Sequence, residues 1–356
     1  MRSRTALVCL VLAASVAPPA RAQRAADSAT AGPVGALLGV LADDSLEGRD
    51  TGSRGSAAAA RIIAGRLERA GLVPAGDSGF FQRVPLARAT VTLPNGQTRR
   101  RLLLLPDLAA RDTFPADSRL PFAAVNVIGL LPGSDPRLRN EAIVVDAHYD
   151  HLGIAAVPVN GDSIYNGADD DASGTVAVLE VARILGRAAP RRTIVFLLVT
   201  GEERGTLGSR WYLAHPVVPL ERTVANLEIE MIGRPDSLAG GPGRAWLTGY
   251  DRSTMGAMLR EAGIPLVADP RPEQHFFERS DNIVFARRGI PAHTISSFNL
   301  HADYHRVSDE ARFTDPAHMA RVINATARAV RLLADGAPPA WVPGGQPPAP
   351  APRPER

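Results

Sequence analysis

Histidine and carboxylate residues follow closely behind several short apolar segments of the sequence. These polar segments are 146–151, 167–174, 201–203, 230–233 and 303–305. Imidazole nitrogens and carboxylate oxygens are ligands that proteins offer to zinc. Two imidazoles, three carboxylate ligands and one spare carboxylate suit a hydrolytic centre of two metal ions that share a ligand. The consecutive acids Asp169, Asp170 and Asp171 would repel one another unless cations lie close to them.

The segments that must position these residues form a pattern that predicts an α/β fold. Apolar segments over 124–131, 142–147, 193–200, 224–229 and 290–296 alternate with helical patterns over 174–185, 253–262 and 316–333. This alternation is typical of a three-layer sandwich with a mostly parallel, mixed central sheet. Functional side chains in such sheets gather just past the carboxyl ends of the strands. We therefore expect the polar segments to converge on one cleft.

The polar segments resemble motifs of the M28 family of zinc peptidases, which includes bacterial leucyl-type aminopeptidases. The matching segments are 147–150, 167–174, 201–203, 230–234 and 304–305, and segments 46–49, 71–72 and 279–281 resemble exported bacterial members. The resemblance extends over residues 37–335, which we interpret as a single peptidase domain. It implies the zinc-dependent exopeptidase fold, two zinc ions per chain and peptide substrates with a free N-terminus.

The resemblance implies a role for five metal ligands. His148 and Glu230 would bind one zinc ion, while Glu203 and His305 would bind the other. Asp170 would bridge both ions, and the family often has a cis peptide bond directly after this residue. Many family members have aspartate where this chain has Glu230.

Glu228 is an alternative ligand to Glu230, because it lies two residues earlier on the same strand face. The residues after Glu230 match the family motif and favour Glu230. The six remaining histidines are interpreted as hydrogen-bonded or packing residues; they are His151, His215, His275, His293, His301 and His318.

The resemblance also implies three catalytic residues. Glu202 would act as general base toward a water that bridges the two ions, and then as general acid toward the leaving amine. Asp150 would hold the His148 imidazole in the correct tautomer. Tyr304 would assist at the tetrahedral intermediate, and the alternative is that it is only a packed aromatic residue.

The predicted activity is hydrolysis of peptide bonds, with release of N-terminal residues. A carboxypeptidase and a glutaminyl-cyclase-like enzyme on the same fold are alternatives, as is a non-catalytic binding protein. Phe276 and Phe277 are candidates for the side-chain pocket, with core packing as the alternative. The oligomeric state stays open.

The two ends of the chain differ in composition from the domain between them. Arg2 and Arg4 precede an apolar segment over 6–17, and a small-residue pattern ends at Ala22. This pattern predicts a signal peptide over 1–22, cleavage near Ala22 and export to the periplasm or the medium. A flexible lead is predicted over 23–36, and a proline-rich disordered tail over 336–356.

Charge and residue usage exclude several classes of function. All 40 basic residues are arginine, so no lysine can form a Schiff base. The arginines outside the predicted signal equal the acidic residues in number, and we therefore expect no nucleic-acid partner. The single cysteine, Cys9, lies inside the predicted signal, which leaves no disulfide or thiolate ligand elsewhere. No segment is long and apolar enough for stable membrane insertion.

Overall fold

The computed structural model describes residues 28–92 and 95–349. The helices are α1 (Ala31–Leu41), α2 (Arg54–Arg69), α3 (Leu108–Thr113), α4 (Gly174–Leu185), α5 (Leu207–Ala214), α6 (Met255–Glu261), α7 (Asn282–Ala286) and α8 (Pro316–Asp335). The strands are β1 (Val73–Pro74), β2 (Phe81–Arg83), β3 (Leu86–Thr92), β4 (Thr98–Leu104), β5 (Val125–Leu131), β6 (Ala142–His148), β7 (Gly153–Val159), β8 (Asp162–Tyr165), β9 (Thr193–Val199), β10 (Thr223–Ile229), β11 (Ala245–Leu247), β12 (Leu266–Ala268) and β13 (Ala292–Ser296).

The central sheet has the order β1-β5-β9-β6-β10-β13-β11-β12, with β2 also paired to β5. The four middle strands, β9, β6, β10 and β13, are parallel to one another. The strands β5 and β11 join this block antiparallel on its two sides. The predicted α/β fold with a mostly parallel, mixed sheet is therefore confirmed.

Helices cover both faces of the sheet. Apolar residues of α1, α2, α4 and α8 pack together with one face, and those of α5 and α7 pack with the other. Every residue of β6 and β9 is buried, as expected for strands that lie between two helical layers. This burial makes the middle of the sheet a rigid base for the residues at its carboxyl edge.

Local sequence signals account for the ends of the longest helices. The Ser53 hydroxyl accepts a hydrogen bond from Ser56 N at 3.1 Å and caps α2. The Asp315 carboxylate accepts hydrogen bonds from two main-chain nitrogens at the start of α8, where Pro316 is the first helical residue. The strands β3 and β4 pair antiparallel with each other in a separate two-stranded sheet.

The chain ends are more ordered than their composition predicts. The predicted flexible lead is wrong over 31–36, because α1 begins at Ala31 and Val34 is fully buried. The predicted disordered tail is wrong over 337–349. Trp341 packs against the core there, and its indole nitrogen donates to the Gly289 carbonyl at 2.9 Å. Composition alone does not reveal that a single apolar residue finds a place in the core. Residues 1–27, including the predicted signal, and 350–356 lie outside the described residues.

Candidate metal centre

The carboxyl ends of three neighbouring parallel strands supply most of the predicted site residues. His148 is the last residue of β6, and Glu230 follows β10 directly. Glu202 and Glu203 lie in the turn after β9. Because these strands are adjacent and parallel, their carboxyl ends open on the same edge of the sheet. His305 reaches this edge from the loop before α8, so the structure brings the predicted residues together at one cleft.

The first group of possible metal ligands is His148, Asp170 and Glu230. The His148 Nε2 atom lies 3.3 Å from Asp170 Oδ1 and 3.9 Å from Glu230 Oε1. His148 and Asp170 are buried, while Glu230 is half-buried and borders the cleft. Three ligands and an open side are what a catalytic zinc site requires.

A second group surrounds the other oxygen of Asp170. The His305 Nε2 atom lies 3.0 Å from Asp170 Oδ2 and 3.3 Å from Glu203 Oε2. Asp170 thus presents one oxygen to each group, which is the geometry of a carboxylate that bridges two ions.

His151, which the sequence analysis interpreted as a hydrogen-bonded or packing residue, joins this second group. Its Nδ1 atom lies 2.7 Å from Glu203 Oε1 and 3.8 Å from Asp170 Oδ2. The ring is fully buried and lies against Gly167, where a Cβ atom would approach within 2.5 Å of it. Its sequence position, one residue after Asp150 in the histidine motif, is the signal that could have identified it.

Unpartnered polar atoms test whether these residues fit metal ions. His148 Nε2, both ring nitrogens of His151 and Glu203 Oε1 are buried and accept or donate no well-aligned hydrogen bond among the described residues. Buried polar atoms without such partners are costly, and ligation by zinc would remove the cost. The nitrogen and oxygen donors present therefore fit zinc.

Asp170 is the member of the acidic triplet that is left free for metal. Asp169 Oδ1 accepts hydrogen bonds from the main chain of Gly233 at 2.6 Å. Asp171 Oδ1 accepts from Gly174 N at 2.9 Å and Met231 N at 3.0 Å. The outer two acids therefore tie the metal loop to the segment after β10. The peptide bond between Asp170 and Asp171 is cis, which confirms that expectation.

The choice between Glu228 and Glu230 has a structural answer. Glu228 is fully buried, and both of its carboxylate oxygens accept hydrogen bonds. The donors are Ser280 Oγ, Asp281 N, Asn282 N and Thr294 Oγ1, at 2.5 to 3.0 Å. Glu228 therefore anchors the segment that begins at Arg279, and Glu230 is the residue that lies beside His148.

Asp150 contacts the His148 ring through its main chain. The main-chain carbonyl of Asp150 lies 3.0 Å from His148 Nδ1, whereas its carboxylate oxygen is 3.9 Å away. The carboxylate instead accepts hydrogen bonds from Thr51 Oγ1 at 3.0 Å and Glu202 N at 3.1 Å. The carbonyl still holds the ring so that Nε2 faces the cleft, and the carboxylate positions the main chain of Glu202.

Burial and charge divide the carboxyl groups of the centre into two kinds. Burial would raise the pKa of Asp170, but three nearby imidazoles outweigh burial and hold that pKa well below its ordinary value. Burial raises the pKa of Glu202 well above its ordinary value, with partial opposition from His148 and reinforcement from nearby acids. Asp170 is thus a persistent anion, whereas Glu202 can hold a proton.

A buried arginine ties together the loops that carry the ligands. The Arg49 guanidinium is 1% exposed, and it donates hydrogen bonds to four main-chain carbonyls at 2.6 to 2.9 Å. The carbonyls belong to Leu41, Tyr149, Asn166 and Gly167. Tyr149 lies beside His148, and Gly167 begins the turn to Asp170. This contact gives the 46–49 segment a structural role at the metal centre.

An aromatic cavity lies next to Glu230. Trp246, Phe276, Phe298 and Tyr304 line it together with Arg279 at its edge. Of the two phenylalanines expected at a side-chain pocket, Phe276 lines this cavity. Phe277 packs edge-on to Trp341 in the second layer of the core, with ring centroids 6.4 Å apart.

A mixed sheet with paired histidine and carboxylate groups at its carboxyl edge is typical of metal-dependent hydrolases. The family model described as peptidase family M28 matches residues 126–330, and the chain belongs to this family. The matched region is therefore a domain of this peptidase family, and the donor atoms of its candidate centre fit zinc.

Curated relatives match part of the chain. A vacuolar membrane protease of Lachancea thermotolerans is 27% identical over 218 residues, which cover 60% of this chain and 21% of that protein. A probable zinc metalloprotease of Pyrenophora teres f. teres is 40% identical over 114 residues, which cover 31% of this chain and 22% of that protein. The chain thus spans about a fifth of the length of these relatives.

Solved structures share the fold over most of the chain. A zinc aminopeptidase from Bacillus subtilis has a TM-score of 0.61 at 15% identity and covers 86% of this chain and 96% of its own. A glutaminyl cyclase from Porphyromonas gingivalis has a TM-score of 0.56 at 16% identity and covers 85% of this chain and 98% of its own. At these identities the likeness concerns the fold.

The comparisons contradict the predicted export to the periplasm or the medium. Two fungal relatives are named vacuolar membrane proteases, which is a different location. The prediction rested on a short apolar segment behind two arginines, and such a segment does not specify which compartment receives a chain. Within 28–92 and 95–349, no helix combines the length and apolar character that crossing a bilayer requires.

Proposed function

We propose that this peptidase is an aminopeptidase that removes residues from the free N-terminus of peptides. The observation that carries the proposal is the aromatic cavity beside Glu230 at the edge of the metal centre. The cavity is small, about 30 Å³, so it suits a small apolar side chain of the N-terminal residue. The nearby carboxylates of Glu202 and Glu230 suit its α-ammonium group, because charge-assisted hydrogen bonds to carboxylates are strong.

Five side chains hold two zinc ions in this proposal. His148 and Glu230 would hold one ion, His305 and Glu203 would hold the other, and Asp170 would contribute to both. When bound, zinc supplies a Lewis acid that activates water and stabilises negative charge on the scissile carbonyl. The two oxygens of Asp170, which face different histidines, support this division of ligands.

His151 is added to the predicted set as a residue that acts on Glu203. His151 Nδ1 lies 2.7 Å from Glu203 Oε1, so the buried imidazole limits where this carboxylate oxygen can lie. Glu203 Oε2, which faces His305, then stays directed at the metal. The close contact between the His151 ring and Gly167 limits its alternative orientations.

Glu202 moves the proton in this proposal. Its carboxylate accepts a proton from the attacking water at an Oε atom and then donates it to the nitrogen of the leaving amine. The raised pKa of Glu202 supports this role, because a carboxylate whose pKa lies above its ordinary value is a stronger base. Asp150 is a positioning residue, since it holds the Glu202 main chain.

Tyr304 stabilises charge in the same step. Its ring stacks on that of His305 with centroids 3.9 Å apart, and it lines the aromatic cavity. A hydroxyl in this position can donate to the carbonyl oxygen as that oxygen gains negative charge.

Product analysis on unmodified and blocked peptides tests the proposal. The zinc-loaded protein is incubated with a peptide of distinct residues, its N-acetylated copy and a copy that begins with glutamine. We expect residues to appear one by one from the free N-terminus, with no product from the acetylated peptide. Release from the C-terminus would identify a carboxypeptidase. Loss of ammonia without release of a residue would identify a glutaminyl-cyclase-like reaction.

A further inference from the structure

A second cavity, of about 200 Å³, lies beside the metal centre and is lined by arginines. Its walls come from three separate parts of the chain. They are Asp50 and Thr51, the β3–β4 hairpin with Arg88, Arg100, Arg101 and Leu102, and Arg204 from the turn after β9. We call this the arginine cavity.

The charges around the arginine cavity are unbalanced. Arg204 forms an ion pair with Asp50 at 2.6 Å. Arg88, Arg100 and Arg101 form no ion pair with any residue of the described part of the chain. Because the hairpin register places the Arg101 side chain on the other face, three guanidinium groups face one carboxylate, which leaves a net positive surface in a concave site. Guanidinium groups bind carboxylates through paired hydrogen bonds, and an anion in this cavity would relieve their mutual repulsion.

Two residues that line the arginine cavity are neighbours of residues of the candidate centre. Arg204 follows Glu203 in the chain, and Thr51 donates a hydrogen bond to the Asp150 carboxylate at 3.0 Å. The aromatic cavity, in contrast, lies on the side of Glu230. The two cavities therefore flank the metal centre at different ligands. A peptide whose first side chain fills the aromatic cavity can direct its remaining residues toward Arg204.

We propose that the arginine cavity binds a carboxylate on the leaving part of the substrate, so that the enzyme prefers short acidic peptides. The carboxylate is either the C-terminal group of a short peptide or an acidic side chain. This inference rests on the proposed aminopeptidase function and specifies its substrate class. It concerns binding of the leaving part, so the arginines of the cavity affect KM more than kcat.

The strand register offers a matched control for the test. Arg88 pairs with Leu102, and Thr90 pairs with Arg100, so Arg88 and Arg100 lie on one face of the hairpin. Arg99 is exposed, lies on the other face and does not line the cavity. The double variant Arg88→Gln with Arg100→Gln therefore removes two cavity charges, and Arg99→Gln removes a hairpin charge elsewhere.

Steady-state kinetics on matched tripeptides test the proposal. The substrates are one apolar tripeptide as free acid and as C-terminal amide, and amidated copies with glutamate or glutamine in the last position. We expect the wild type to prefer at least one carboxylate form about tenfold in kcat/KM, which is the effect of one good charged contact. The double variant should lose this preference through a higher KM, and Arg99→Gln should retain it. High salt should weaken the preference.

The outcomes separate the two proposals. Equal rates on the acid and amide substrates, and on the glutamate and glutamine substrates, would overturn the proposed role of the arginine cavity. The aminopeptidase proposal would be unaffected. An equal loss of preference in Arg99→Gln would overturn the role of the cavity as well. If no free N-terminus is cleaved, the aminopeptidase proposal fails. Calorimetric titration of the wild type with the same acid and amide pair then tests whether the cavity binds a carboxylate. Equal affinities for the acid and the amide would overturn that proposal.

Discussion

Glu202 and Glu203 are neighbours in the sequence, but their surroundings give them different roles. Burial and Asp170 would raise the pKa of Glu203, yet contacts with two imidazoles lower it to about 2. Glu202 lacks such contacts, and its pKa is raised. A permanent anion suits a metal ligand, whereas a group that exchanges protons suits a general base. One dipeptide thus supplies both kinds of carboxylate.

The substitution Glu202→Gln tests the proton-transfer role. We expect kcat to fall by about a hundredfold to ten-thousandfold, which is the usual contribution of a general base. The zinc content should stay the same, because Glu202 is outside both ligand groups. Metal analysis and kinetics on the same preparation check this. A variant with near-normal kcat would contradict the assignment.

The substitution His151→Gln tests the residue that the motif analysis left out. Loss of a group that orients a metal ligand lowers affinity by about tenfold to a hundredfold. We expect this loss for one of two zinc ions, measured by competition with a chromophoric chelator. His215→Gln is the control, because His215 stacks on Trp211 and lies outside both ligand groups. Unchanged affinities for both ions in His151→Gln would show that this histidine only packs.

Strand ends and the resemblance to family motifs predict most of the candidate centre, namely His148, Asp170, Glu203 and His305. The same reasoning leaves two questions open that only the fold answers. Glu228 and Glu230 share a strand face, but Glu228 is saturated with hydrogen bonds and Glu230 lies beside His148. His151 meets Glu203 across 52 residues of chain, a contact that local spacing does not encode.

At the scale of elements, the sheet edge is assembled by contacts between loops. Arg49 connects α1, the turn after β6 and the loop before α4 through four carbonyl groups. The adjoining Gly48 has a φ of +62°, and a Cβ there would lie 2.5 Å from two carbonyl oxygens. The 46–49 turn therefore needs both a glycine and an arginine at these positions.

The substitution Arg49→Met tests this connection. It would leave several buried carbonyls without donors, each at a cost of about 1–3 kcal/mol. We expect the free energy of unfolding in urea to fall by about 3 kcal/mol or more, and zinc affinity to fall with it. Arg54→Gln is the control, because Arg54 is exposed and water screens its ion pair with Glu47. Equal stabilities of the two variants would contradict the role of Arg49.

The elements that could be predicted are those with strong local patterns. The apolar segments became β5, β6, β9, β10 and β13, and the helical pattern over 174–185 became α4. The β7–β8 hairpin is not apparent, since its residues are largely exposed and carry no buried alternation. The short strands β11 and β12 depend on pairing with distant partners, which no local pattern records.

For the whole molecule, buried neutral histidines link stability to pH. Burial lowers the pKa of His293 to about 4, and its ring nitrogens contact Ser253 Oγ at 2.6 Å and the Thr248 carbonyl at 2.7 Å. The unfolded chain binds a proton near pH 6.5, but the folded chain does not until about pH 4. His293 therefore contributes full stability above pH 6.5, and this contribution is lost as the pH falls toward 4.

The substitution His293→Gln isolates this effect. Between pH 6.5 and 4 the free energy of unfolding of the wild type should fall more steeply than that of the variant, by up to about 1.4 kcal/mol per pH unit. Above pH 7 the two slopes should coincide. Urea unfolding across this range measures both slopes. Parallel curves throughout would mean that His293 does not stay neutral in the folded protein.

The proposed function of the whole molecule is zinc-dependent hydrolysis at a free N-terminus, and one assay tests this function most directly. A panel of aminoacyl p-nitroanilides and their N-acetylated copies is presented to the protein before chelation, after chelation and after zinc is restored. We predict release of p-nitroaniline from the free-amine substrates only, with loss on chelation and recovery with zinc. Chelator-insensitive release, or equal release from the acetylated copies, would contradict the account.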